Sequence, residues 1–205
     1  MSHYLKKIKR HPLWEDAFNY VIENNTSSNL PYHNTRHLIK VFNSAIDIAD
    51  KSELEEYQVI ELGIACLFHD INHSGGQLPD MENISIAIKE FQKFFDHKDD
   101  QFINIKTSNI INMMWCTEFP KKKEPLNLQQ EIIMDSDLIQ CYDNDWVLFI
   151  IKGLSIERGV DVSRALQDQT NFINNVKYYT KYAQKLHKRK KREYSEELEY
   201  LKTIF

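Results

Sequence analysis

Residues 59–73, VIELGIACLFHDINH, decide the fold and carry the first sign of chemistry. Val59, Ile60, Leu62, Ile64, Ala65 and Leu67 leave almost no polar face, as expected of a helix at the centre of a bundle rather than on its surface. The end of the segment is different in kind. His69-Asp70 follows Leu67-Phe68 directly, and His73 stands three residues beyond Asp70. An aspartate in that position is costly to bury without a positive partner, and a divalent cation is the most economical partner that also uses imidazoles.

Working outward, helical spacing of apolar residues recurs almost throughout. Trp14, Phe18, Val21 and Ile22 form one stripe, and Leu38, Val41, Phe42, Ala45, Ile46 and Ile48 a second. Further helices are predicted over 84–95, 110–115, 132–139, 147–156 and 172–186. The tail 195–205 opens with Ser-Glu-Glu-Leu, which suits an N-cap followed by an acidic first turn. Polar breaks fall at 24–31, 73–79, 98–104, 119–127 and 141–145. There is no internal repeat, no low-complexity linker and no alternating stretch long enough for a sheet. The pattern predicts a single compact all-α domain over 1–205 with eight or nine helices. Its motif-bearing core is 32–173, its C-terminal helices are 174–205, and a metal site is expected in a central pocket.

Composition agrees with that class. Of 205 residues, 42% are hydrophobic and 27% charged, an ordinary globular balance. Five Gly and five Pro are too few turn formers for a many-stranded barrel or sandwich. The net charge of −4 makes nucleic acid an unlikely partner by charge alone. Cys66, Cys116 and Cys141 form no CxxC pair and read as free thiols of a reducing compartment. The N-terminal stretch MSHYLKKIKRHPLW is basic but has no apolar signal-peptide core, and no run approaches 18 apolar residues. The expectation is a cytoplasmic protein with no membrane partner; homo-oligomerisation stays open. The basic run 185–192 reads as a solvated helix face or as a patch for an anionic partner.

Four of the eight histidines, His33, His37, His69 and His73, fall between positions 33 and 73. His33 and His37 are spaced i,i+4, so on a helix they project from one face, one turn apart. Asp135 and Asp137 sit in the otherwise apolar segment 132–139, and either is eligible as a further ligand. Two His with one or two Asp suit a borderline ion such as zinc, or a two-metal site. Two ions bridged by an aspartate can hold a phosphate and lower the pKa of the attacking water from 15.7 toward about 7.

Six blocks, in order, resemble the class I 3′,5′-cyclic nucleotide phosphodiesterases of the HD superfamily of phosphohydrolases. Tyr32-His33-Asn34-Thr35-Arg36-His37 resembles Y-H-N-x-x-H, and Phe68-His69-Asp70-Ile71-Asn72-His73 resembles F-H-D-x-x-H. Met81-Glu82-Asn83 with Ala87 resembles the L-E-N-H-H-x-A segment, and IINMMWCTE at 110–118 resembles the helix ending in Ala-Thr-Asp. Asp137-Leu138-Ile139-Gln140 resembles D-[IL]-x-N, and Gln169-Thr170-Asn171-Phe172-Ile173 resembles the Q-x-x-F-[IL] motif that contacts the nucleobase. The chain departs from the pattern in being short, in having Gln140 for Asn, in having Ile84 and Ser85 where the family has its two histidines, and in an eight-residue loop between His73 and Glu82.

The resemblance implies a role for each matching residue. His37, His69, Asp70 and, on motif register, Asp137 would hold a first, zinc-like ion (Zn, Fe or Mn). Asp70 would bridge to a second ion, Mg or Mn, bound largely through water that His73, Glu82 and Thr117 hold. His33 would be the general acid, with Asp70, His73 and Glu82 completing the catalytic group. Tyr32, Gln140, Gln169 and Phe172 would line the substrate pocket, Gln169 on the purine edge and Phe172 on its face. The implied activity is hydrolysis of the 3′ ester of cyclic purine nucleotides to 5′-monophosphates. The alternatives are another HD phosphohydrolase, such as a 5′-nucleotidase or a hydrolase of a cyclic oligonucleotide, and a non-catalytic helical module that senses nucleotides.

Overall fold

The computed structural model describes residues 3–96, 98, 102, 104–120 and 123–205. Among these residues every regular element is helical. The order is α1 (His3–Ile8), α2 (Pro12–Asn24), α3 (Thr35–Ala49), α4 (Glu56–Phe68), α5 (Asp80–Phe95), α6 (Thr107–Trp115) and α7 (Leu128–Leu138). A 3-10 turn (Ile139–Tyr142) and a π-helical turn (Val147–Lys152) lead into α8 (Gly153–Arg158), α9 (Val162–Asn175) and α10 (Lys181–Lys202). The all-α class holds. The ten helices among the described residues exceed the expected eight or nine because α1 was not expected, while the two helices expected over 172–186 and 195–205 are redrawn as α9 and α10.

The apolar segment expected at the centre is there. In α4 every residue from Val59 to Phe68 is buried, and α2, α3, α5, α6 and α7 all pack against it. Each fully buried Leu, Ile or Phe contributes roughly 1.5–3 kcal/mol, so this one helix anchors the first half of the molecule. Its start is fixed by a capping box: Glu55 and Gln58 satisfy each other's free backbone N–H groups. Its one buried acid, Glu61, accepts from Lys106 N, Asn109 Nδ2 and Gln129 Nε2, tying α4 to α6 and α7. A second apolar cluster joins Tyr32 to residues 139–198, chiefly Trp146, Phe149, Leu166 and Tyr194. The candidate site lies where the two clusters meet.

Three local expectations are corrected. The stretch 172–186 is two helices: α9 ends at Asn175 and α10 begins at Lys181. No Gly or Pro marks the break. It forms because the carboxylate of Asp135 on α7 accepts the backbone N–H of Tyr179 (3.0 Å) and of Thr180 (2.7 Å), and Thr180 then caps α10 through Ala183 N. Ser195 is therefore not an N-cap; it lies inside the continuous helix α10. The start of α9, capped by Asp161 on Arg164 N, lies in a stretch with no predicted helix. The expected breaks at 98–104 and 119–127 fall partly outside the described residues. All three cysteines are buried thiols outside any disulfide among the described residues, and no described helix is long and apolar enough to cross a membrane.

Candidate metal centre

Four side chains from three helices converge. His37 is the third residue of α3, whose start is fixed by Asn34 accepting from Arg36 N and His37 N. His69 caps the C-terminus of α4 and Asp70 follows it; Asp137 comes from α7. The turn after α4 is held by Asn72 in the left-handed region (φ 62°), a conformation asparagine tolerates, with its N–H on Asn25 Oδ1 and its Oδ1 on Thr26 N. One ligand atom from each of His37, His69, Asp70 and Asp137 lies within 4.8 Å of the others. His37 Nε2 is 3.2 Å from Asp70 Oδ2 and 3.3 Å from Asp137 Oδ1; His69 Nε2 is 3.3 Å and 3.6 Å from the same atoms. Both imidazoles are fully buried.

The protonation pattern suits a cation. His69 Nδ1 donates to the Cys66 carbonyl at 2.8 Å, which leaves the Nε2 lone pair for the centre. His37 Nδ1 is buried without a partner among the described residues. Burial alone would push both imidazoles down, but Asp70 and Asp137 more than reverse it, so both lie above the usual histidine value. Burial would raise the two carboxyls, and the imidazoles instead hold both well below the carboxylate range. The four groups stabilise positive charge between them. Two imidazole nitrogens and two carboxylate oxygens are a complete donor set for a divalent ion, and these buried groups can hold one. Asp135, the competing ligand, points the other way, to Tyr179 and Thr180.

Beside this set sits a second group, His33, His73 and Glu157. Glu157 Oε1 accepts the backbone N–H of Tyr32 and His33, and its Oε2 takes His33 Nδ1 at 2.5 Å. Burial raises Glu157, but the bond to His33 wins and the carboxyl stays below its ordinary value. A carboxylate on Nδ1 keeps His33 Nε2 directed at the centre, 4.0 Å from Asp70 Oδ2. His33 and His73 stack with centroids 3.7 Å apart and planes 21° apart. One ligand atom from each of His33, His73 and Glu157 also lies within 4.8 Å of the others, so this trio too could hold a cation. His73 accepts from Gly75 N at Nδ1 and is neutral at neutral pH, held down to about 4 by burial and by His33. Two glycines bring Glu157 this close. A Cβ at Gly76 (φ 82°) would meet the Glu157 carbonyl oxygen at 3.0 Å, and one at Gly153 would meet Pro31 O at 3.1 Å.

A cavity of about 640 Å³ opens from the centre, walled by α8 and α9. Tyr32, Thr117, Gln169 and Phe172 line it. The Thr117 hydroxyl donates to Met114 O, and Gln169 Nε2 donates to Tyr194 OH at 3.0 Å, leaving Gln169 Oε1 without a partner among the described residues. Two expected residues are elsewhere. Glu82 is exposed and does not line the cavity, because α5 begins at Asp80 and turns Asp80 and Asn83 inward instead. Gln140 is fully buried outside the lining, with both amide atoms unpartnered among the described residues. Sequence reasoning missed Glu157, Asp80 and Phe119, whose ring pairs with Phe172 at 6.0 Å. Only Phe119 had a signal, standing two residues after Thr117. The chain has no match among protein-family models, curated proteins or solved structures.

Proposed function

We propose that this protein is a metal-dependent phosphodiesterase that hydrolyses the 3′ ester of 3′,5′-cyclic purine nucleotides to 5′-monophosphates. The observation that carries the reading is the juxtaposition of four ligand atoms within 4.8 Å, three of them on buried residues, with a carboxylate-backed imidazole, His33, that lines one cavity. The donor set fits a zinc-like ion (Zn, Fe or Mn) on His37, His69, Asp70 and Asp137, and a second, harder ion (Mg or Mn) beside Asp70. Bound there, divalent ions supply Lewis acidity toward the phosphate and acidify the attacking water.

The chain's own residues supply the rest. His33, its Nδ1 engaged by Glu157, presents Nε2 to the centre and from there would deliver a proton to the departing 3′-oxygen. Neutral His73, stacked on His33, keeps a second positive charge out of the site. Phe172 and Phe119 offer apolar ring faces to a base, and Gln169 offers a carbonyl oxygen to its edge. Leu154 of α8 and Ala165 of α9 add apolar surface beside Phe172.

The test is product analysis. Purified protein with manganese is incubated with cyclic mononucleotides, cyclic dinucleotides and nucleoside 5′-monophosphates, and products are separated by chromatography. The expected product is a 5′-monophosphate from a cyclic purine nucleotide. Release of inorganic phosphate from monophosphates, with cyclic mononucleotides intact, overturns the reading in favour of a nucleotidase.

A further inference from the structure

Resting on that reading, we infer that Asp80, the first residue of α5, is the positioning carboxylate for the second cation, accepting hydrogen bonds from its water shell in the role the sequence pattern gives to Glu82. Helix phase supports this first. With α5 starting at Asp80, the side chains of Asp80 and Asn83 face the cavity and Glu82 faces solvent. Asn83 is already committed: its Oδ1 accepts from Ser74 N and its Nδ2 donates to Leu78 O. Asp80 is half committed. Its Oδ2 accepts from Phe119 N at 2.6 Å, and its Oδ1 has no hydrogen-bond partner among the described residues.

The remaining hydrogen-bonding capacity of the wall matches a hydrated cation. The Thr117 proton is spent on Met114 O, so its oxygen is left as an acceptor. Asp80 Oδ1 is a second acceptor on the same wall. Water held by a divalent ion has its oxygen turned to the ion and its protons turned outward, so it calls for acceptors on the protein. His73, with Nδ1 engaged by Gly75 N, carries its proton on Nε2 and offers a donor to any water oxygen with a free lone pair. The charge is also right. Burial already disfavours the Asp80 anion and the nearby Asp70 and Asp137 carboxylates disfavour it further, so a cation in the cavity relieves all three.

Manganese titration by calorimetry tests this without any turnover. The wild-type protein is expected to take up two ions, one tight and one weak. Asp80→Asn keeps an acceptor for Phe119 N but loses the charge; it should weaken the second ion about tenfold and leave the first unchanged. Asp80→Ser should reproduce that loss, and Glu82→Gln should leave both ions as in wild type. Two ions with Asp80→Asn unchanged, or a loss with Glu82→Gln, overturns the assignment while leaving the phosphodiesterase reading intact. Uptake of a single ion by wild type also overturns it, and uptake of none overturns the metal reading as well.

Discussion

The molecule buries carboxylates in two ways. Glu61, in the seam between α4, α6 and α7, meets three N–H donors; Asp135, between α7 and α10, meets the backbone N–H groups of two residues. These donors are fixed parts of the fold, so each charge is satisfied by the structure itself. Asp70 and the partly buried Asp137 face imidazole nitrogens that can themselves serve as ion ligands. Their charge is satisfied only by a proton or a cation placed between the groups. A carboxylate that meets amide donors is satisfied by the fold, and one that meets two imidazoles together can hold an ion.

The sharpest way to break this comparison is to remove one member of each class. Asp70→Ala or His69→Ala should abolish both bound metal and turnover, measured by elemental analysis and product assay, with the apo fold retained. Glu61→Leu should do the reverse. Leaving its donors unpaired should cost about 3 kcal/mol in urea unfolding, while the folded fraction still binds metal. If Glu61→Leu loses metal at unchanged stability, the division fails.

Next comes the acid. His33→Ala should lower turnover about 100- to 10,000-fold with metal content unchanged. Glu157→Gln should lower it about tenfold, or about 1.4 kcal/mol, since His33 loses the carboxylate on its Nδ1 but keeps a hydrogen-bond partner there. Equal activity of His33→Ala and wild type would remove His33 from the chemistry.

A finer test uses the two aspartates two residues apart. Manganese at about 100 times its dissociation constant should stabilise the wild type by about 2.7 kcal/mol. Asp135→Asn should lower baseline stability yet keep that increment, and Asp137→Asn should lose the increment alone. Thermal unfolding with and without manganese reads both.

The smallest effect concerns Asp80 in metal-free protein. Burial first, then Asp70 and Asp137, holds its carboxyl up at about 6. A carboxyl that titrates higher in the folded than in the unfolded state costs stability when ionised. That cost is absent below about pH 4, grows as pH rises to about 6 and is constant above. Asp80→Asn should therefore raise the urea midpoint at pH 7–8 and leave it unchanged near pH 4. A uniform effect across pH would show that the Asn acts through packing instead.

Much of the fold and of the metal set was legible because both depend on short spacings. The apolar periods that mark α2 to α7 are local, and so are the His33–His37 spacing and the His69-Asp70 dipeptide. Glu157 was not legible. It lies 124 residues from His33 in an unremarkable helical stretch, and it reaches the imidazole only because glycines at 76 and 153 let three segments approach. The choice between Glu82 and Asp80 was not legible either, since it turns on the residue at which α5 begins. The break before α10 has no turn former in its sequence; a carboxylate on α7 makes it by taking two backbone donors.

By itself, then, the sequence determined that the chain is helical, which face of each helix is apolar, and that imidazoles and carboxylates stand at ligand spacing in apolar surroundings, because helix geometry converts short spacings into faces. Only the tertiary structure decided which carboxylates meet amides and which meet imidazoles, where the acid finds its partner, and which side of α5 looks into the cavity. Those outcomes depend on contacts between residues far apart in the chain, and no local periodicity encodes them.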